Sequence, residues 1–451
     1  MHPIVGKHAL RLVDYFRKTD SLRMYDSYLE SEWYSSDEIL SLQVARLRAL
    51  VSHAYYHVPY YQRLFQRLGL HPCDVHGIED LRSLPITTKE ILRADGRSFM
   101  AGNASLYDPR ERSTGGSTGE PLHYFFDRRS QSGTWAFLYR SWSVGGWRPG
   151  DRVVYIGGSS VEPIVGIVKK YIYRFLNNWL FLSTDSLERR KIEQVTRRLR
   201  RSRVRYIYGY ASCIFLLAEM CRDLGIDDVK FRSAFATSEI LHDNWRRVIE
   251  DVFSCEVFDV YGGNDGAGFA YECKEHDGLH CVCEDSIIEI VDEMGNPVSH
   301  GSEGRVLTTS LFNYAMPFIR YEVGDISSFS DRPCPCGRNS PLLARIQGRD
   351  CDFVEDKEGN KVYNGFFSHI MHGAPWISGF HVLQETRDGI KLYLRPGNEP
   401  PAGAVDSVRR IVEERFQNMI VEVIITRDLP RSPNGKFKYV LNKIQTPETA
   451  K

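Results

Sequence analysis

Ser113, Thr114, Gly115, Gly116, Ser117, Thr118 and Gly119 form an unbroken run of small polar residues, closed by Glu120 and Pro121. Glycines let a backbone approach a ligand closely, and the hydroxyls and amides can surround phosphate oxygens. No Gly-Lys-Ser or Gly-Lys-Thr ending follows, so the run is not a Walker loop and a P-loop kinase is disfavoured. Taken alone, the same run also reads as an ordinary loop. A second reactive group is built from sulfur and imidazole. Of the 10 cysteines, Cys273, Cys281, Cys283, Cys334 and Cys336 fall close together, with His276 and His280 among them. Three thiolates and one imidazole suit tetrahedral Zn²⁺. In a long chain this pattern favours metal binding over a disulfide framework. No open coordination position suggests hydrolysis, so the metal is expected to act as a structural clamp. Cys73, Cys213, Cys221, Cys255 and Cys351 are isolated and read as inert thiols.

These groups need a scaffold, and 451 residues at 42% hydrophobic content supply one with room for two or three domains. Lys plus Arg equals Asp plus Glu at 58 each, so no global field favours nucleic acid. The start, Met1 to Lys7, lacks the basic-then-apolar pattern of a secretory leader. Lys169, Lys170 and Arg174 interrupt the apolar-looking stretch 161–182 and exclude a transmembrane span. That stretch is expected to be an amphipathic surface helix or a pocket lining, with peripheral membrane contact the lesser alternative. A cytoplasmic protein is the expectation.

Residues 1–80 are expected to be helical. Ile39, Leu40, Leu42, Val44, Leu47 and Leu50 supply an apolar face, and Tyr55, Tyr56, Tyr60, Tyr61, Leu64 and Phe65 extend it across Pro59. Residues 83–89 read as a turn capping a short helix. From Arg152 onward, strands at 153–156, 204–208, 231–235 and 257–261 alternate with helices at 188–200 and 211–224, which describes a layered α/β body. The arginine-rich stretch 189–203 reads as a solvated face. Strands at 287–291 and 304–309 flank a turn at 293–297. Past residues 348–352 a hairpin at 354–362, strands at 380–384 and 420–425 and a helix at 404–416 make a small α+β unit.

Taken in order, these motifs resemble the adenylate-forming superfamily, in the phenylacetate–CoA ligase-like branch that includes the CapK proteins. The resemblance runs over residues 40–446. Residues 113–121 are similar to that family's phosphate loop, SSGTTGKP, with Glu120 in place of the usual basic residue. Ser113, Thr114, Gly115, Gly116, Ser117, Thr118 and Gly119 would then hold ATP phosphates. Residues 236–239 resemble the segment bordering the adenine and acyl pocket, which implies roles for Ser238 and Glu239. Asp259, Val260, Tyr261, Gly262, Gly263, Asn264 and Asp265 resemble the adenine motif. Tyr261 would stack on the base, while Asn264 and Asp265 replace the customary Thr and Glu. Asp265 would approach Mg²⁺ with a side chain one methylene short. Asp325 matches the carboxylate for the ribose hydroxyls. Arg320 is either nucleotide-facing or paired with nearby Glu322. Arg349 matches the arginine before an interdomain hinge at Asp350 and Cys351. Lys436 matches the catalytic lysine, with Lys438 its near rival; read without the family, Lys436 is a surface lysine. Lys89 matches an entrance motif and is expected to be structural. Zinc-bearing family members imply Cys273, His280, Cys334 and Cys336 as ligands, with His276 the substitute for His280 and Cys281 and Cys283 as further nearby thiols.

The resemblance implies a large layered α/β domain, 1–348, with a zinc-stabilised portion at 273–336, and a small mobile α+β lid, 349–451. It implies ATP- and Mg²⁺-dependent adenylation of a small carboxylic acid, aryl or related, followed by transfer to CoA. An amine acceptor, in polysaccharide or natural-product synthesis, is the enzymatic alternative. A non-catalytic, zinc-stabilised nucleotide-binding scaffold is the other, kept open by the departures at Glu120, Asp265 and Cys351. Phe181, Tyr206, Tyr208 and Phe235 suit either an aryl pocket or plain core. A homodimer is the expected assembly.

Overall fold

The computed structural model describes residues 3–113, 122–157, 172, 174–183, 191–262, 268–346, 348–349, 353–357, 361–363, 367, 370–371, 374, 376–416, 419–429 and 439–444. Helices α1 (Pro3–Arg17), α2 (Ser21–Ser31), α3 (Ser36–His57), α4 (Pro59–Leu68) and α5 (Lys89–Asp95) form the N-terminal layer. Local chemistry sets their ends. Ser35 and Glu38 close a capping box on α3, Pro59 opens α4, Gly69 ends it at φ 66°, and the Thr88 hydroxyl caps α5. Ile39, Gln43, Leu47, Leu50 and Ala54 are the buried stripe of α3. Leu40 points outward instead, because it lies 100° round the helix from Ile39.

Strands β1 (Arg110–Ser113) and β2 (His123–Phe126) pair antiparallel and lead into α6 (Arg128–Val144). The central sheet follows, from β3 (Val153–Gly157), β4 (Trp179–Ser183), β5 (Tyr206–Tyr210), β6 (Ser233–Thr237), β7 (Glu256–Gly262), β8 (Phe269–Glu272) and β9 (Leu279–Cys281). Strands β3 to β7 run parallel; β8 and β9 return antiparallel. Two strands start later than the apolar runs suggest. Arg203 ends the preceding helix at φ 50°, so β5 pairing begins only at Tyr206. The Phe231 amide bonds to Phe253 at a helix end, which delays β6 to Ser233.

A second, antiparallel sheet contains β10 (Ser286–Val291), β11 (Gly304–Ser310) and β12 (Tyr321–Ser327). Next come β13 (Leu342–Leu343), which joins the central sheet beside β9, and β14 (Gly348–Arg349), which joins β12. The C-terminal region holds the hairpin β15 (Phe353–Glu355) and β16 (Lys361–Tyr363), then β17 (Ile377–Thr386), β18 (Gly389–Pro396), β19 (Ile420–Ile425) and β20 (Val440–Asn442). Its four-stranded sheet has the order β19-β18-β17-β20, with the helix Ala404–Arg415 packed on it. The chain is therefore a large α/β body followed by a smaller, β-rich C-terminal region. Helices Ala211–Asp223 and Asp243–Phe253 receive that region. Leu217, Trp245 and Ile249 share one apolar cluster with Trp376, Phe380 and Leu392. No helix among the described residues is long and apolar enough to cross a membrane.

Candidate active site and metal centre

Parallel strands deliver their following loops to one edge of a sheet, where open α/β folds place ligands. β6 ends at Thr237, whose hydroxyl donates to the Val260 carbonyl at 2.8 Å and ties β6 to β7. Ser238 follows, exposed and in the left-handed region at φ 66°, a conformation uncommon for a residue with a side chain. Glu239 turns back and accepts the Ser212 amide at 2.8 Å, at the start of the helix Ala211–Asp223. One strand further, Tyr261 and the exposed Gly262 end β7. The Tyr261 hydroxyl donates to Asp325 Oδ2 at 2.7 Å, which joins the central sheet to β12 of the second sheet. Asp325 lies opposite Arg349 in the β12–β14 register. Tyr261, Asp325 and the Arg349 backbone thus converge.

Asp259 sits one pleat before Tyr261 within an ion cluster. Its amide donates to Glu272 Oε2 at 2.8 Å. Arg246 grips Glu272 at 2.7 and 2.9 Å, and His276 Nδ1 lies 3.1 Å from the same carboxylate. Burial, then the Glu272 charge, raise the Asp259 carboxyl above its ordinary range. Burial acts on Glu272 as well, yet His276 and Arg246 hold it below its ordinary range. Ser113 closes β1 and pairs with His123, so the chain segments on either side of residues 114–121 are paired in β1 and β2. Thr114, Gly115, Gly116, Ser117, Thr118, Gly119, Asn264, Asp265, Asp350, Cys351, Lys436 and Lys438 lie outside the described residues.

Of two expectations about single residues, the Arg320 pairing is corrected and the structural reading of Lys89 agrees with the structure. Arg320 pairs with Glu289, at 3.2 Å, and not with Glu322, which takes Arg305 at 2.7 Å. Arg320 is also buried, at φ 47°, and donates to the Leu84 and Gly295 carbonyls, so it serves as an internal brace. Lys89 donates to the Val323 carbonyl at 3.2 Å, a structural contact. Tyr206, Tyr208 and Phe235 are buried in the core beneath the sheet, with Phe181 packed against it. Trp142 and Tyr155 share that core, so packing accounts for these aromatic residues.

The sulfur group resolves into four residues that could hold a metal ion. Cys273, His280, Cys334 and Cys336 bring their ligand atoms within 4.8 Å of one another. Cys273 Sγ is 3.5 Å from Cys334 Sγ, and Cys336 Sγ is 3.3 Å from His280 Nε2. Tetrahedral Zn–S bonds of about 2.3 Å imply ligand separations of about 3.8 Å, which lies within the range spanned by these atoms, so small side-chain adjustments would seat the ion. Ser340 Oγ lies 3.1 Å from His280 Nδ1 and leaves Nε2 to face the thiols. Burial, reinforced by Arg338 and Arg140, lowers His280 to about 4 and keeps the imidazole neutral, as a ligand must be. His276 turns away to Glu272, and Cys281 and Cys283 belong to a different apolar cluster. Sequence spacing did not reveal Ser340 or Arg338. Arg338 reaches Glu32 at 3.1 Å, and Asn339 donates to the Tyr34 carbonyl at 2.9 Å, so the ligand loop also grips the end of α2.

No family model matches the chain. It is 29% identical over 331 residues to the phenylacetate-coenzyme A ligase of Escherichia coli (strain K12), covering 72% of this chain and 74% of the relative. It is 22% identical over 417 residues to protein CapK of Staphylococcus aureus, covering 91% and 90%. Among solved structures, 2-hydroxyisobutyryl-CoA ligase in its postadenylation state superposes with a TM-score of 0.72 at 18% identity, covering 92% of each chain. An open conformation of the same ligase gives 0.58 at 19% identity, covering 90% of this chain and 92% of the ligase. With the sheet order, the Tyr261–Asp325 contact and the ordered motifs, these relatives place the chain in the adenylate-forming superfamily, in its phenylacetate–CoA ligase and CapK-like branch.

Proposed function

We propose that the protein activates a small carboxylic acid with ATP and passes the acyl group to CoA. The Tyr261–Asp325 contact at the edge of the sheet supports this reading, because a ring that could stack on a base lies beside a carboxylate that could take a diol. In the first half-reaction a carboxylate oxygen of the acid attacks the α-phosphorus of ATP and pyrophosphate leaves. In the second, the CoA sulfur loses its proton and attacks the acyl carbon, a C–S bond forms, and the acyl carbon–oxygen bond of the adenylate breaks so that AMP departs with the bridging oxygen. Ser113, Thr114, Gly115, Gly116, Ser117, Thr118 and Gly119 would cradle the phosphates. Ser238, Glu239, Asp259, Tyr261, Gly262 and Asn264 would border the adenine. Asp325 would take the ribose hydroxyls, with Arg349 beside it. Lys436 would bridge carboxylate and α-phosphate and offset their crowded negative charge. Asp265 would hold Mg²⁺, which supplies charge neutralisation on the phosphates.

The finer features of this reading are also proposals. The acid is aryl or a related small acid, and the site of action is the cytoplasm. A large domain, 1–348, and a lid, 349–451, meet at a hinge around Asp350 and Cys351. The higher TM-score against the postadenylation state supports a lid held near the adenylate-retaining position. A structural Zn²⁺ is held by Cys273, His280, Cys334 and Cys336. Assays of AMP release with CoA, and separately with amines, test the acceptor. Thioester with CoA is the expected product; an amide with no thioester would refute the CoA assignment.

A further inference from the structure

We propose that α1 and a cluster of arginines at the N-terminal edge of the central sheet form a docking face for an anionic lipid bilayer. On α1, Ala9, Leu10 and Val13 are buried against the body. Yet Val5, Leu12, Tyr15 and Phe16 are 55%, 50%, 77% and 70% exposed. Residues 5, 12 and 16 fall on one strip of a helix, with Tyr15 beside it. Arg11, on the Tyr15 side of that strip, and Lys18, just past the helix end, are exposed. A solvated helix has no use for four large apolar groups on its outer side, whereas a helix lying in a bilayer interface does.

The neighbouring surface supplies the charge. Gly6 of α1 crosses Gly150 so closely that an added Cβ would lie 2.4 Å from the Gly150 Cα. Arg148 and Arg152 flank that turn. Asn178 donates to the Gly150 carbonyl at 2.9 Å, and just before it Ile172 and Phe175 are 52% and 72% exposed. Arg152 reaches the Ser202 carbonyl at 3.0 Å, which leads to Arg203 and Arg205. The Arg232 amide bonds to the Arg205 carbonyl at 2.6 Å, and its guanidinium lies against Gly146. All five arginines, 148, 152, 203, 205 and 232, are exposed. Among the described residues none of them is paired with a carboxylate; Asp151 spends its side chain on the Arg148 amide.

In a chain with equal numbers of acidic and basic residues, this is a local concentration of positive charge. A bilayer with anionic headgroups meets both features, taking the apolar strip into the acyl boundary and the guanidinium groups onto phosphates. An acidic protein or a nucleic acid would satisfy the arginines and leave the strip in water. A two-fold contact through α1 would draw two arginine clusters towards each other. Strands β3, β5 and β6 start beside these arginines and end at the candidate active site. Their span of five residues each, about 16 Å, keeps the nucleotide edge turned away from a docked membrane.

Cosedimentation of the full chain with phosphatidylcholine vesicles, with and without phosphatidylserine, tests the proposal. The protein should pellet with the phosphatidylserine vesicles and be released by high salt. Each arginine removed from Arg203, Arg205 and Arg232 should weaken binding about fivefold. The triple change to Glu should abolish pelleting while thermal unfolding stays unchanged, and Leu12→Ser with Phe16→Ser should weaken it independently. Wild-type protein that stays in the supernatant, or a triple Glu variant that still pellets, would overturn the proposal. So would a self-association in ultracentrifugation that Phe16→Ser dissolves, since the strip would then belong to a second copy.

Discussion

Asp285 shows how one buried carboxyl can set the pH response of this protein. It accepts the Tyr28 hydroxyl, packs on Gly133, and has one oxygen with no partner. Burial raises it to about 7; the adjacent Glu284 adds to this, and the Tyr28 bond opposes it. The folded state thus keeps a proton that the unfolded chain releases near pH 4, and stability falls as pH rises from about 4 to about 7. Asp285→Asn removes that titration. Denaturant unfolding at pH 5 and pH 8 should show the variant gaining on wild type by roughly 2–3 kcal/mol at the higher pH. Tyr261→Phe deletes a hydrogen bond to a charged group, worth roughly 1.5–3 kcal/mol. The KM for ATP in pyrophosphate exchange should rise about tenfold or more. His280→Ala should lose bound zinc and lower the melting temperature, whereas His276→Ala should retain one zinc per chain by elemental analysis. The choice between these histidines was not legible in their spacing. It is made by the β8–β9 pairing, which places His280 opposite Tyr271 and turns His276 to Glu272. The three thiols were legible, because Cys334 and Cys336 lie two apart and face a soft ligand from another segment. Arg320 was not, because its partner Glu289 lies on a different strand, 31 residues away.

At the scale of elements, the ligand loop and α2 form one assembly. Arg338 stacks over Trp33 and bonds Glu32, while buried Arg140 holds Glu284 at 2.7 Å and also reaches the Tyr28 carbonyl. Chelation should therefore raise amide hydrogen exchange across the end of α2 as well as in the ligand loop. Unchanged protection of α2 after complete metal removal would contradict that coupling. The C-terminal region is held by an aromatic contact of similar weight. Tyr439, three residues past Lys436, packs on His242, Trp245 and Phe380, and Trp245 Nε1 donates to the Ser378 carbonyl at 3.2 Å. Trp245→Ala should slow adenylation by loosening this seat, with the loss in kcat exceeding any change in the KM for ATP. Buried strands β3, β6 and β7 were legible as apolar runs. Strand β18 was not: Lys391, Tyr393 and Arg395 alternate with its buried positions and dilute the apolar run.

Across the whole molecule, the sequence motifs lie far apart along the chain, and the two sheets bring several of them to one edge. The layered α/β body was legible from alternating strands and helices, and the ordered motifs carried the family. The joint between the sheets at Tyr261 and Asp325 could not be read from residues 64 positions apart. The account rests on that edge being a working adenylation site. ATP–pyrophosphate exchange across a panel of aryl, aliphatic, hydroxy and amino acids, run beside Lys436→Ala and Asp325→Ala, tests it most directly. The account predicts acid-dependent exchange that falls by orders of magnitude in both variants. Absence of exchange with every acid, in folded protein that binds ATP, would contradict it.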